Sequence, residues 1–107
     1  MSDRTEKVSN LIKEKTAEFL GRENNGTSLI TVTRANVSPD LKRATIFITV
    51  LPGDKEKTAL LFAKRKRPDI RDFLKDHLMT KVIPFIDIEI DQGEKNRQKI
   101  DELLRAK

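Results

Sequence analysis

The 107-residue sequence predicts an α+β fold in two layers, a three-stranded sheet with helices over one face. Three observations predict it. Two β-branched runs, at 29–37 and 42–51, flank the turn signal Ser38-Pro39-Asp40 and read as a hairpin. Apolar residues at helical spacing precede the hairpin and follow it. A third alternating run, FIDIEI at 85–90, supplies the last strand. The order is α-β-β-α-α-β with a kinked helix pair and a polar tail. A chain of this length forms one domain. Residues 1–92 are expected to be its body and 93–107 a C-terminal helical tail.

Each element has a local cause. Asp3 and Glu6 form a capping pair, and Val8, Leu11, Ile12 and Phe19 follow at helical spacing, with Lys15 as a gap. Gly21 is expected to stop that helix, and residues 21–28 to form a polar loop. LITVTRANV alternates, as a half-buried strand should. In KRATIFITVL, Ala44, Ile46, Ile48 and Val50 share one face, and Thr45, Phe47 and Thr49 the other. Pro52-Gly53 ends the strand and offers Asp54 as the next helix cap. That helix runs to about residue 66. Pro68 interrupts it, because proline lacks an N–H and clashes with the preceding turn. Ile70, Phe73, Leu74, His77 and Leu78 are the stripe of the second helix. In FIDIEI, Ile86, Ile88 and Ile90 should face inward, and Asp87, Glu89 and Asp91 outward. Gly93 then separates a polar helix with Ile100, Leu103 and Leu104 on one side.

Charge is concentrated. The chain carries 22 Lys and Arg against 17 Asp and Glu, a net +5, which favours an anionic partner. Lys64, Arg65, Lys66, Arg67, Arg71, Lys75 and Lys81 face only Asp69, Asp72 and Asp76 between 64 and 81, so this stretch holds most of the surplus. Four tandem cations abut the break at Pro68, where free N–H groups of a helix start can hold an anion. Arg34, Lys42 and Arg43 form a second group at the hairpin, and Arg4, Lys7 and Arg22 can extend a positive rim. Other readings of the basic stretch are a solvated face, a nuclear-import signal, or a docking segment for an acidic protein. There is no Trp or Tyr, and the five Phe mostly fall on expected core positions, so base stacking is not expected to dominate.

Catalytic constellations are weak. There is no Cys, which excludes disulfides and Cys-ligated zinc, and only one His. His77 lies in an apolar stripe and reads as a satisfied boundary residue. No serine sits in a nucleophile elbow, and no glycine loop cradles phosphate. Asp87, Glu89 and Asp91 on one strand face are the alternative: such a row can bind magnesium for a metal-dependent nuclease, or simply discourage edge-to-edge association. No run is apolar enough to span a membrane, and a cytoplasmic, monomeric protein without cofactor is expected.

The element order with its basic interhelical break resembles a type II KH-like RNA-binding domain lacking the GxxG loop. That lack is shared with one family, ribosome-binding factor A. ITVTRANVSPDLKRATIFITV resembles the family's strand-turn-strand signature, most distinctively at Val37-Ser38-Pro39-Asp40-Leu41 with Ala44. Ile70-Arg71 resembles the segment after the family's helix kink. Pro84, Ile86, Ile88 and Asp91 are similar to its Pro-x-Leu-x-Phe-x-x-Asp strand, and Ile100-Asp101-x-Leu103-Leu104 to its closing Ile-x-x-Leu-Leu. The likeness covers roughly residues 4–104. Lys66-Arg67-Pro68 departs from the family's Ala-x-Gly kink. The resemblance implies a non-catalytic assembly factor. It would bind small-subunit rRNA on free 30S subunits, alongside other assembly factors, support late maturation and 5′-end processing of 16S rRNA, and aid growth in the cold. Contacts are expected from Lys64, Arg65, Lys66, Arg67, Arg71 and Lys75, assisted by Arg34, Lys42 and Arg43.

Overall fold

A computed structural model describes residues 2–23, 26, 28–78 and 81–105, with side chains from residue 5 onward. The expected capping pair of Asp3 with Glu6, the side chain of Arg4, and most of the loop after α1 therefore lie outside the described residues. The elements are α1 (Ser2–Glu23), β1 (Leu29–Val37), β2 (Arg43–Leu51), a 3-10 turn (Gly53–Lys55), α2 (Glu56–Arg65), α3 (Arg67–His77), β3 (Phe85–Ile90) and α4 (Gln92–Arg105).

The sheet has the order β1-β2-β3. β1 and β2 pair antiparallel through the short turn, from Leu29 opposite Leu51 to Val37 opposite Ala44. β2 and β3 pair parallel, from Arg43 opposite Phe85 to Ile48 opposite Ile90. A parallel pair needs a crossover, and α2 with α3 supplies it. Ala44, Ile46, Ile48 and Val50 are all buried, as the alternation of β2 requires. Ile86 and Ile88 of β3 join them, beneath Ile12 and Leu20 of α1, Ala59 and Ala63 of α2, and Ile70 and Leu74 of α3. Each fully buried isoleucine contributes about 1.5–3 kcal/mol of transfer free energy.

β1 does not alternate strictly. Its register shifts between Val32 and Arg34. Without that bulge, Arg34 would fall on the same face as Val32 and enter the core. With it, Val32 and Val37 are both buried and Arg34 faces out, opposite Phe47.

The connecting turn is closely bonded. Leu41 N–H donates to Ser38 O at 2.8 Å and Ser38 N–H to Arg43 O at 2.9 Å. Asp40 Oδ1 accepts from Ser38 Oγ at 2.6 Å and from Lys42 N–H at 3.0 Å, which holds its pKa below the ordinary value. Leu41 adopts φ 61°, a left-handed conformation costing roughly 1–2 kcal/mol, and its half-buried side chain packs against the core.

Several helix ends differ from expectation. α1 runs past Gly21 to Glu23, because glycine only weakens a helix interior and the packing of buried Leu20 holds this turn. Asp54 lies inside the 3-10 turn, and α2 starts at Glu56 with Lys55 at its cap position and no side-chain cap bond. Gly93 lies in the first turn of α4, which begins at Gln92. α4 buries no residue, and Ile100, Leu103 and Leu104 are exposed. His77 is half-buried and stacks on Phe73, with centroids 4.2 Å apart. Its Nδ1 lies 2.8 Å from Phe73 O, a pure acceptor, so Nδ1 carries a proton there.

None of the five phenylalanines is fully buried: Phe19, Phe47, Phe62 and Phe73 are half-buried and Phe85 is exposed. The expectation that most of them fall at core positions holds in part: Phe19 and Phe62 pack against the core, which aliphatic residues fill, and Phe85 stands outside it.

In α1, Thr16 is fully buried and its Oγ1 has no hydrogen-bond partner among the described residues. An unsatisfied buried hydroxyl is unfavourable, whereas a methyl of equal shape is not. Thr16→Val is therefore expected to stabilise the fold by about 1 kcal/mol, measurable as a rise in the urea midpoint. A lowered midpoint would show that the hydroxyl is satisfied in solution.

Candidate nucleic-acid interface

The break between α2 and α3 is one residue long. Lys66, at φ −87° and ψ 2°, ends one helix and begins the next. Its N–H is shared between Phe62 O at 3.2 Å and Ala63 O at 3.1 Å. Pro68 occupies the first turn of α3, where a missing N–H is tolerated. It removes the i+4 donor to the carbonyl of Lys64, which still accepts a backbone N–H at the end of α2. The Arg67 side chain adds a second bond, with Nε donating to Lys64 O at 2.9 Å. Arg67 Nη1 then reaches Asp87 on β3 at 3.3 Å.

The tandem cations consequently do not form one surface, because successive helical residues point about 100° apart. Lys66 pairs with Glu23 of α1 at 3.3 Å and lies over Phe62. Arg67 turns the other way, toward β3. Lys64 and Arg65 carry no ion pair among the described residues and line an open depression of about 550 Å³ with Thr58, Leu61 and Arg67. The helix start is a poorer anion site than its position suggests. Pro68 has no N–H, that of Ile70 is donated to Lys66 O at 2.8 Å, and Asp69 places a negative charge in the first turn.

What the sequence does not reveal is a junction around Arg67, where α3 meets the starts of β2 and β3. Arg71 donates from Nη2 to Ile83 O at 3.0 Å and from Nε to Pro84 O at 3.3 Å, and its guanidinium lies 4.7 Å from the Phe85 ring centre. Phe85 N–H donates to Lys42 O at 2.8 Å, which sets Arg43 beside Phe85 in register. Arg43, Arg67, Phe85 and Asp87 border one depression of about 350 Å³. Arg67, Pro68, Arg71, Asp72 and Phe85 border another of about 300 Å³. The structure thus brings Arg43, Arg67 and Arg71 together, with Lys64 and Arg65 alongside. Lys42 is exposed at the same end of β2. Lys75 lies one turn beyond Arg71 and pairs weakly with Asp72 at 3.8 Å.

Arg34 stands apart. Its register partner Phe47 is four residues along β2 from Arg43, roughly 13 Å away at the strand rise. Its guanidinium lies 3.9 Å from the Phe47 ring centre, and Nε donates to Asp91 Oδ2 at 3.2 Å.

The acidic row on β3 is also divided. Asp87 and Glu89 are exposed, but Asp91 is buried. Its Oδ2 accepts from Thr33 Oγ1 at 2.6 Å as well as from Arg34, and its Oδ1 caps α4 through Glu94 N–H at 3.1 Å. The bulge in β1 brings Thr33 and Arg34 to this carboxylate. Among the described residues, no group of three or more His, Cys, Asp or Glu side chains is placed to hold a metal ion.

Comparison with known proteins points one way. The sequence pattern of the family described as Ribosome-binding factor A matches residues 4–104. Ribosome-binding factor A of Macrococcus caseolyticus is 30% identical over 114 positions, covering 100% of both chains. The crystal structure of ribosome-binding factor A from Thermus thermophilus superposes with a TM-score of 0.73 at 16% identity, over 80% of this chain and 94% of that one. A Thermus thermophilus homology model, fitted into a cryo-electron microscopy map of a 30S complex with the factor, gives a TM-score of 0.65 at 18% identity, over 74% and 86% of the two chains. The expected KH-like type II fold is the one observed.

Asp91 yields a pH-dependence. The Thr33 hydroxyl, the Glu94 N–H and Arg34 together lower its pKa, against desolvation. The unfolded chain therefore binds this proton more readily than the folded one. Stability from Asp91 is complete above the ordinary carboxylate value near 3.9 and is lost as pH falls through the folded value. Asp91→Asn is expected to flatten the acid limb of the melting temperature between about pH 5 and 2. Asp91→Ala should cost about 1–3 kcal/mol at neutral pH. An unchanged acid limb in the Asn variant would remove Asp91 as a source of acid lability.

Proposed function

The chain belongs to the ribosome-binding factor A family, and on that premise we propose that it binds the free small ribosomal subunit during assembly. It supports late maturation of the subunit and 5′-end processing of 16S rRNA without catalysing the cleavage, and it is important for growth in the cold. The observation that carries this reading is the cationic junction of Arg43, Lys64, Arg65, Arg67 and Arg71 on rigid elements. Exposed ion pairs such as Arg67–Asp87 contribute only about 0–1 kcal/mol, so a phosphate can replace the carboxylate.

Residues 1–92 form the RNA-binding body, and 93–107 a tail. Lys64, Arg65, Arg67 and Arg71 with Lys42 and Arg43 meet phosphates, while Lys66, Lys75 and Arg34 extend the field. The factor acts by binding one rRNA conformation more tightly than others, which is sufficient to bias assembly. No cofactor enters this scheme. The site of action is cytoplasmic, the working form is a monomer, and other assembly factors are its neighbours on the subunit. Among the described residues, no helix is long and apolar enough to cross a membrane.

Arg67 bonds the helix break, so the cleaner test leaves it in place. A variant with Lys42, Arg43, Lys64 and Arg65 all changed to Ala should keep its melting temperature. It should leave the 30S fraction in gradients at near-physiological salt. The slope of log affinity against log salt should fall by about one for each phosphate contact removed. Unchanged co-sedimentation would place the interface elsewhere.

Incubating the protein with rRNA and magnesium checks the absence of catalysis. No cleavage is expected. Cleavage that disappears in Asp87→Ala would establish the nuclease reading instead.

A further inference from the structure

Phe85 is the one exposed aromatic side chain among the described residues, with 68% of its surface accessible. Its backbone is not free. It opens β3, follows the buried Pro84, and is hydrogen-bonded to Lys42 O. The ring is displayed from a paired strand rather than from a loop. Leaving it in water forfeits the burial that a phenylalanine ordinarily provides, and its aliphatic strand neighbours Ile86 and Ile88 are buried.

The surroundings of the ring are cationic rather than apolar. Arg71 covers one approach at 4.7 Å from the ring centre, and carbonyls of Ile83 and Pro84 hold its guanidinium there. Arg43 is the register neighbour of Phe85, and Arg67 borders both depressions that the ring lines. Asp72 and Asp87 also border them, and each pairs with a cation, Lys75 and Arg67. A greasy protein partner would call for an extended apolar patch. A lone ring among three guanidiniums fits a planar, electron-rich group attached to a phosphate.

We propose that Phe85, backed by Arg71, is a stacking platform for one unpaired nucleobase of single-stranded RNA, whose flanking phosphates meet Arg43 and Arg67. Unpaired bases stack on aromatic rings and arginine planes, whereas bases inside a duplex do not present a face. The proposal deepens the ribosomal reading and rests on it for the identity of the nucleic acid. It selects a single-stranded segment, where charge alone would accept any phosphate backbone.

The chain contains no Trp or Tyr, so Phe85→Trp reports from this site alone. Its emission should be quenched on titration with an unstructured oligoribonucleotide and far less with a blunt RNA duplex of equal length. Phe85→Ala and Phe85→Leu should melt as the parent does. Both should bind the single strand about ten- to hundredfold more weakly, with duplex affinity unchanged. Unquenched emission while a labelled strand still binds would overturn the proposal. So would failure of the parent protein to bind the strand, or full affinity in the Leu variant, which keeps apolar bulk without a ring. Sedimentation of the parent protein with 30S subunits separates the two readings. Co-sedimentation without stacking sinks the platform alone, and stacking without co-sedimentation sinks the ribosomal reading alone.

Discussion

The parallel pairing of β2 with β3 is the constraint from which the rest of the molecule follows. The chain leaves the end of β2 at Leu51 and must return to begin β3 at Phe85, beside Arg43. α2 carries it back along the sheet until Arg67 meets Asp87. A straight continuation would then run off the sheet, so the helix breaks at Lys66 and α3 packs Ile70 and Leu74 down again. The break, the start of β3 and the hairpin end of β2 are therefore neighbours by topology. The cationic junction is a product of the crossover.

Much of this is legible in the sequence, and the reasons differ by element. β2 and β3 alternate cleanly, and one buried face decides their register. The turn at Ser38 and the interruption at Pro68 follow from local backbone chemistry. β1 is legible only in part: strict alternation would bury Arg34, and the bulge that prevents it depends on Asp91, 57 residues away. Gly21 carries an end signal that the packing of Leu20 overrides, and the 3-10 turn that holds Asp54 moves the start of α2 to Glu56. The phenylalanines are legible in part: Phe19 and Phe62 reach the core that the isoleucines fill, and Phe85 does not.

The candidate site is legible as charge but not as geometry. Seven cations between 64 and 81 mark the region, yet composition does not say that Lys66 leaves toward α1 while Arg67 turns to β3. Nor does it mark Phe85, which sits in an alternating strand at a position that merely reads as outward-facing. Asp91 belongs to the same lesson. It looks like the third member of an acidic row, and three-dimensional pairing makes it the cap of α4 and the anchor of the β1 bulge.

The hydrogen bond from Arg67 to the carbonyl of Lys64 has a mechanical consequence. That carbonyl also accepts a backbone N–H at the end of α2, so Pro68 removes its i+4 donor without orphaning it. The side chain adds a second bond there, and the same guanidinium reaches Asp87. Arg67 is thus a brace that ties the end of α2 to β3 across a joint where the backbone ladder is interrupted.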